Sequence, residues 1–331
     1  MISVNYNFIF LLYLSRSGST YFTKVLAEDC DSITILPETN YFRTILSHFK
    51  IFKKFDARCL SGLILEDPKF KAFNVSKENL INTLATCNNH REAIYVVTSL
   101  LLEKRNGLDT KNILIKDGGL VDFAEEINLL FADPKIIFIQ RDPRGGINSL
   151  LHSPKIFVKG VSSMGWNDIE MCCNSYESYL KKISIQLKTI PYHKVTFESL
   201  IRNEKAIIEK TLVYLKLDAG SEKVEVDQSW LLGQETEAHK NVFEPADKDR
   251  IYAWKRELED WEIKYIEFRL HNFIPLQTLI NNRSNLTLAR CRAKGNHFIG
   301  ATRLNIYRGR RYFLGGNFNL LFLKLKLKLA S

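Results

Sequence analysis

The stretch from Asn7 to Ala27, NFIFLLYLSRSGSTYFTKVLA, constrains the fold of this chain more than any other part of its sequence. Its apolar and aromatic run, Phe8 to Leu14, is too short to span a bilayer and has the length of a buried strand. A polar loop from Ser15 to Thr20 follows at once, and apolar residues then recur at helical spacing between Tyr21 and Leu26. The sequence therefore predicts a strand, a loop of small residues and a helix.

This order of elements is suited to binding an anion. Free backbone N–H groups and the positive end of the helix dipole point at one place, and both stabilise negative charge. Gly18 lets the backbone approach closely, and Arg16 adds a fixed positive charge with a planar fork. Three hydroxyl side chains add further donors: Ser17, Ser19 and Thr20. We interpret the loop as a phosphate or sulfate cradle, with an ordinary helix N-cap as the alternative.

The loop departs from the usual nucleotide P-loop pattern. That pattern has a glycine, four further residues and then Gly-Lys-Ser/Thr. Here the loop holds one glycine, Gly18, and an arginine precedes it. A P-loop kinase is therefore disfavoured, because the Gly-Lys-Ser/Thr sequence and a magnesium carboxylate are both absent from the pattern.

Two motifs resemble those of a known family. The wording RSGSTYF at 16–22 resembles the phosphosulfate-binding loop of sulfotransferases that use 3′-phosphoadenosine 5′-phosphosulfate (PAPS), most of all the carbohydrate-type members, in which an arginine often replaces a lysine. The stretch IIFIQRDPRGGINSLL at 136–151 resembles the same family's 3′-phosphate motif. The resemblance covers residues 7–270 in pieces. It implies an α/β fold with a P-loop NTPase-like parallel sheet flanked by helices, PAPS as co-substrate without a metal, and Arg16 beside the bridging oxygen of the donor.

The second motif supplies two candidate ligands for the 3′-phosphate. Arg141 and Ser149 stand eight residues apart, which is the separation of the family's 3′-phosphate arginine and serine. Arg141 at a strand end and Ser149 two turns into the next helix can reach one phosphate from different sides. The same residues also fit the start of a helix, with Asp142 as N-cap and Pro143 at the first helical position, and both interpretations can hold. Arg144 is a weaker candidate, for which we expect a solvated position.

Two further residues are candidates for the chemistry. Glu38 follows the predicted strand 32–36 and resembles the glutamate that serves as base in carbohydrate-type and some bacterial members. Because a partly desolvated carboxylate in a cleft can have a raised pKa, we expect this of Glu38, with a helix-capping glutamate as the alternative. Lys116 ends the predicted strand 111–115, where family members place a lysine near the transferring sulfonate. This sequence reads Lys-Asp there, whereas many bacterial relatives have Asp-Lys.

The late part of the resemblance is weaker. Lys248, Arg250 and Trp166 are candidates for 3′-phosphate contact and adenine stacking, although the family's Arg-Lys-Gly motif reads Asp-Lys-Asp here. Core packing is the expected role of Trp166 and Trp254.

Strand and helix patterns alternate along the chain, which predicts a parallel sheet with helices on both faces. Beyond the first strand, the predicted strands are Ser32–Leu36, Lys111–Ile115, Lys135–Gln140 and His193–Thr196, and a turn is expected at 197–200. The predicted helices include Leu120–Phe131, Gly145–Leu151, Asn167–Lys188 and Glu204–Leu217.

The charge of the chain is concentrated in its C-terminal part. The net charge is +10, yet residues 283–331 contain eleven Lys or Arg and no Asp or Glu, so residues 1–282 are near neutral. We therefore predict a sulfotransferase domain at 1–282 and a basic C-terminal extension at 283–331. The run FNLLFLKLKLKL at 318–329 suits a one-sided strand, and the extension can bind an acidic polysaccharide, an anionic lipid surface or nucleic acid, or be a disordered basic tail.

The sequence predicts a PAPS-dependent sulfotransferase acting by in-line displacement on an acceptor hydroxyl, most of all that of a carbohydrate or glycolipid. The competing hypotheses are a non-catalytic nucleotide- or glycan-binding relative and the disfavoured kinase. The expected partners are PAPS, the acceptor, and an anionic membrane surface or acidic polysaccharide, without nucleic acid. The six cysteines form no C-x-x-C pair and are expected to be reduced. Together with the absence of a signal peptide, they predict a cytoplasmic protein, with peripheral attachment to a membrane left open.

Overall fold

A computed structural model describes most of the chain. The described residues are 6–104, 111–152, 168–223, 226, 242–244, 247–275, 279 and 286–297. Five parallel strands form one sheet in the order β2-β3-β1-β4-β5. Their bounds are β1 Asn7–Tyr13, β2 Ile33–Ile35, β3 Asn112–Lys116, β4 Lys135–Gln140 and β5 His193–Thr196. The predicted parallel α/β sheet is confirmed.

The central strand β1 shows why helices cover both faces of the sheet. Successive side chains of a strand point to opposite faces. Phe8, Phe10 and Leu12 enter one hydrophobic core, whereas Ile9 and Leu11 enter the other. Since β1 is buried on both sides, its sequence reads as a continuous apolar run rather than an alternating one, as is typical of a parallel sheet.

Helices connect the strands and follow the sheet. Those before β4 are α1 Ser19–Glu28, α2 Tyr41–Phe52, α3 Ala57–Leu65, α4 Pro68–Lys71, α5 Lys77–Ala85, α6 His90–Glu103 and α7 Ala124–Leu130. Those after β4 include α8 Pro143–Leu151, α9 Ile169–Gln186, α10 Phe197–Arg202 and α11 Glu204–Leu215. None of the helices in the described ranges combines the length and the apolar character needed to cross a bilayer.

Two local expectations were wrong. The helix predicted at Leu120–Phe131 begins instead as a 3-10 helix, Gly118–Phe123, because the Asp117 carboxylate accepts from Gly119 N (2.8 Å) and caps a tighter turn. The turn expected at 197–200 is the first part of α10, which Thr196 caps by accepting from Ser199 N.

The C-terminal part of the described chain packs on the sheet domain. It contains a 3-10 helix, Lys248–Ile251, and the short helix Trp254–Glu257, followed by Asp260–Leu270 and the 3-10 turn His271–Phe273. Residues 286–297 are also helical, and Ala289 and Ala293 on this helix are buried in the larger core. The predicted boundary at residue 282 stays a prediction, but part of the basic extension contributes to the core. The run 318–329 lies outside the described residues.

Candidate functional site

The loop between β1 and α1 has the geometry of an anion cradle. Gly18 has φ 85°, in the left-handed region, and a Cβ atom there would lie 2.4 Å from Cδ2 of Phe197. Both facts require glycine. Arg16 also has a positive φ, 70°. Helix α1 has no side-chain cap on Gly18 and no acidic residue in its first turn, so its N-terminal N–H groups and dipole remain for a ligand.

The hydroxyl side chains of this loop are turned inward. Ser17, Ser19 and Thr20 are each at least 95% buried. Oγ of Ser17 has no hydrogen-bond partner among the described residues. Because a buried hydroxyl without a partner is costly, this atom fits a site that is completed by a bound anion.

The second motif meets the first at this loop. Nε of Arg16 donates to Oγ of Ser149 (3.0 Å), and Nη1 of Arg141 donates to the carbonyl of Arg16 (3.2 Å). Nη2 of Arg141 donates to the carbonyl of Arg250 (2.9 Å), and its guanidinium lies 4.2 Å from the centre of the Phe197 ring. The structure thus brings Arg16, Arg141 and Ser149 together, as the two motifs predict.

The electrostatics of this cluster favour an anion. Burial lowers the pKa of the Arg16 guanidinium, and the charge of Arg141 lowers it further. Burial also lowers the pKa of Arg141, whose Nε has no hydrogen-bond partner among the described residues. Since arginine stays protonated in proteins, two positive charges lie close together here, one buried at Arg141 and one half-buried at Arg16. A phosphate between them would relieve both their repulsion and their desolvation.

The start of α8 is built as a capped helix, and Arg144 is not solvated as expected. Asp142 accepts from Arg144 N (2.9 Å) with Pro143 in the first turn, so this alternative is confirmed alongside the Arg141 contacts. Arg144 is only 1% exposed because its guanidinium pairs with Asp142 and Glu267, both at 2.7 Å, and lies 4.2 Å from the Trp254 ring. Glu267 comes far later in the sequence, so this partner was not predictable locally.

Glu38 lies among the ends of three strands. Its carboxylate accepts from the Tyr13 hydroxyl (2.6 Å) and from Nζ of Lys116, and Lys69 lies 3.6 Å away. It does not cap α2, whose N-cap residue is Asn40. The alternative of a helix-capping glutamate therefore does not describe it.

The expected raised pKa of Glu38 was wrong. Burial alone would raise it, but the positive charges of Lys116 and Lys69 and the hydrogen bonds from Lys116 and Tyr13 outweigh burial and lower the pKa to about 2. Lys116 is the last residue of β3, is 5% exposed and lies 5.1 Å from the centre of the Tyr13 ring. The two candidates for the chemistry thus form an ion pair with each other, in which Lys116 is buried and Glu38 is partly exposed.

The candidates from the later part of the sequence contribute less to this cluster of side chains. Lys248 is exposed, and the Arg250 side chain pairs with Asp247 at 3.5 Å, although its carbonyl holds Arg141. Trp254 is buried against Arg144, so core packing is confirmed for it. Trp166 lies outside the described residues.

Sequence reasoning missed two tyrosines of this region. The sequence predicts Tyr13 only as part of a buried strand, yet its hydroxyl donates to the Glu38 carboxylate. Tyr176 lies in α9, in a sequence without any motif, and its buried hydroxyl lies beside the arginine pair. Only the fold brings it there. In the parts of the chain that the structure describes, no group of three His, Cys, Asp or Glu side chains is arranged to hold a metal ion.

Comparisons with known proteins agree with the fold. The model of a family described as the sulfotransferase family matches residues 9–220. The sulfotransferase domain from the curacin biosynthetic pathway is similar in structure, with a TM-score of 0.55 and 18% identity over 82% of this chain and 100% of that chain. The sulfotransferase domain of the Synechococcus PCC 7002 olefin synthase gives a TM-score of 0.48 and 16% identity over 78% of this chain and 91% of that chain. The first likeness shows a shared fold, and the second is too distant to carry an argument. Among curated proteins, none matches this sequence.

Proposed function

The chain belongs to the sulfotransferase family, and from this premise we propose that it transfers a sulfonate group from PAPS to an acceptor hydroxyl of a carbohydrate or glycolipid. In this reaction the acceptor oxygen forms a bond to sulfur, the bond from sulfur to the bridging oxygen breaks, and 3′-phosphoadenosine 5′-phosphate (PAP) leaves. The acceptor proton passes to a base. The proposal includes Arg16 and the loop 17–20 as donor ligands.

The observation that carries the proposal is the close pair of Arg16, which is half-buried, and Arg141, which is buried. Nη1 of Arg141 donates to the Arg16 carbonyl, and Nε of Arg16 donates to the hydroxyl of Ser149. Unpartnered buried atoms, Oγ of Ser17 and Nε of Arg141, line the same place. A donor with phosphate groups at both its 3′ and 5′ positions fits two cationic subsites of this kind, one at the loop after β1 and one at the start of α8.

The chemistry places three demands on this site. Charge that develops on the leaving phosphate is stabilised by Arg16 and the N-terminus of α1. The acceptor oxygen and the sulfur must be held in line, and Glu38 and Lys116 lie where the ends of β1 and β3 meet. The proton must be taken up, for which we propose Glu38.

Glu38 is a poor base as long as Lys116 binds it. A carboxylate with a pKa of about 2 takes up a proton weakly at neutral pH. We propose that Lys116 turns to the negatively charged sulfonate when the donor binds. The loss of this neighbouring charge then raises the pKa of Glu38 and prepares it for the acceptor proton.

The proposed acceptor rests on the mouth of the site as well as on the resemblance to carbohydrate-type members. Lys69 and Arg43 are each 38% exposed in their side chains, and both lie near Glu38 or the neighbouring Asp117. Such donors suit the hydroxyl groups of a sugar. The proposal also includes Lys248 and Arg250 as residues that contact the donor. It further includes a cytoplasmic location and attachment of the basic extension to an anionic surface.

The test is transfer of radiolabelled sulfonate from PAPS to a panel of sugars and glycolipids, followed by detection of PAP. Labelled product together with an equal amount of PAP is expected. A second candidate, a relative that binds nucleotide without turnover, is favoured by the ion pair that holds Glu38. PAP binding without transfer to any acceptor, and without slow hydrolysis of PAPS, would support that second candidate instead.

A further inference from the structure

Tyr176, in the middle of α9, has a buried polar atom that the fold does not use. The residue is 2% exposed, and its hydroxyl has no hydrogen-bond partner among the residues that the structure describes. Burying an unpaired hydroxyl costs stability, and such groups in folded proteins call for an explanation. A phenylalanine would fill the same space without this cost. The hydroxyl therefore points to a ligand.

Two adjacent glycines at the start of α8 leave room for this hydroxyl and for the Arg141 guanidinium. A Cβ atom on Gly146 would lie 1.5 Å from the Tyr176 hydroxyl oxygen, so only glycine allows this approach. A Cβ atom on Gly145 would lie 3.0 Å from Nε of Arg141. The hydroxyl and the guanidinium thus rest on neighbouring positions of the first turn of one helix.

The anion cradle closes around the same place. Ser149 lies one helical turn beyond Gly145, and its hydroxyl accepts from Arg16. Tyr176 lies close enough to both Arg16 and Arg141 to raise the pKa of each guanidinium, against the larger effect of burial. Burial raises the pKa of Tyr176 well above its ordinary value although Arg141 opposes this, so the phenol stays protonated and can donate.

We propose that the Tyr176 hydroxyl donates a hydrogen bond to the phosphate bound between Arg141 and Ser149, which the proposed function identifies as the 3′-phosphate of PAPS. This inference rests on that proposed function. It assigns to α9 a direct role in selecting donors that carry a 3′-phosphate. Arg141 supplies charge, Ser149 a hydroxyl, and Tyr176 a neutral donor from the opposite helix.

The experiment measures calorimetric binding of PAP and of adenosine 5′-phosphate to the wild type and to Tyr176→Phe. The substitution keeps the buried ring and removes one oxygen. Because a hydrogen bond to a charged acceptor is involved, we expect PAP affinity to fall about tenfold or more. The affinity for adenosine 5′-phosphate, which lacks the 3′-phosphate, should change less than about twofold on the same reasoning.

Tyr214→Phe serves as the matched control. The Tyr214 hydroxyl accepts from Ile136 N (3.2 Å) near the start of β4, at the opposite end of this strand from Arg141, so its loss should leave both affinities unchanged. A second variant, Gly146→Ala, displaces the Tyr176 hydroxyl and should lower PAP affinity in the same selective way. Thermal unfolding of each variant confirms that it is folded.

The outcomes separate this inference from the function on which it rests. If wild-type protein binds PAP and Tyr176→Phe binds it equally well, the inference is overturned and the proposed function stands. Equal losses for both nucleotides would assign Tyr176 to the packing of the site and also overturn the inference. If the wild type binds neither nucleotide, the proposed function itself fails.

Discussion

Nε of Arg16 donates a hydrogen bond to Oγ of Ser149 over 3.0 Å, although 133 residues separate them in the sequence. This contact joins the loop after β1 to the second turn of α8. The hydroxyl of Ser149 and the guanidinium of Arg16 are thus one another's partners, and the two motifs meet at this junction.

Arg141→Ala should weaken the binding of PAP far more than the binding of adenosine 5′-phosphate. Loss of a charge-assisted pair costs about 1.5–3 kcal/mol, and only PAP carries the 3′-phosphate. Calorimetry with both nucleotides measures the difference. Arg202→Ala is the control, because Arg202 is exposed and its guanidinium contacts Tyr252, through a hydrogen bond to the hydroxyl and through the face of the ring. Equal losses for the two nucleotides would contradict the 3′-phosphate assignment.

Glu38→Gln should keep PAP affinity and lower turnover. A general base contributes about a hundredfold or more, so a loss of this size is expected in labelled sulfonate transfer. Lys116→Met should also lower turnover, because it removes the charge that we propose meets the sulfonate. Unchanged turnover of Glu38→Gln would rule out Glu38 as the base.

The low pKa of Glu38 predicts a specific loss of stability in acid. Its pKa falls from an ordinary 4.5 to about 2 in the folded chain. A carboxyl with a depressed pKa contributes stability above its unfolded pKa and loses it as pH falls through its folded pKa. The free energy of unfolding, measured with urea between pH 5 and about 2, should therefore fall more steeply for the wild type than for Glu38→Gln. Parallel curves for the two proteins would rule out this ion pair as the cause.

Much of the sheet could be predicted from the sequence, since buried parallel strands leave continuous apolar runs. The bounds of β4 and β5 agree with the predicted ones, and the two motifs meet as expected. Other features depend on partners that the local sequence does not contain. The pKa of Glu38 follows from Lys116 on a different strand, and the burial of Arg144 follows from Glu267, 123 residues later. No motif marks Tyr176, because its place beside Arg141 depends on packing against Gly146.

Arg144→Ala should destabilise the fold by about 3–5 kcal/mol, the usual result when one partner of a buried ion pair is removed. The substitution leaves Asp142 and Glu267 without their shared cation and Trp254 without its stacked guanidinium. Urea denaturation measures the loss. Arg256→Ala, on the exposed side of the short helix Trp254–Glu257, should change stability by less than about 0.5 kcal/mol. Similar values for both variants would show that the buried pair contributes little.

Truncation should separate the two parts of the basic extension. Removal of 298–331 deletes seven Lys or Arg and should leave stability unchanged, whereas removal of 283–331 also deletes Ala289 and Ala293 from the core and should lower it. Sedimentation with anionic liposomes and with an acidic polysaccharide should show weaker binding after the shorter truncation. This binding should fall with salt, because exposed charges are screened beyond about 8 Å at physiological ionic strength. Unchanged binding would show that residues 298–331 do not bind the anionic partner.

The central claim is that the pair of Arg16 and Arg141 and the loop after β1 form a site for a donor with a 3′-phosphate. Competition calorimetry with PAP, PAPS and ATP tests it most directly. We expect one PAP per chain, displaced by PAPS, and an affinity for ATP at least about a hundredfold weaker because ATP lacks the 3′-phosphate contacts. Binding of ATP as tight as that of PAP, or no binding of PAP, would contradict the claim.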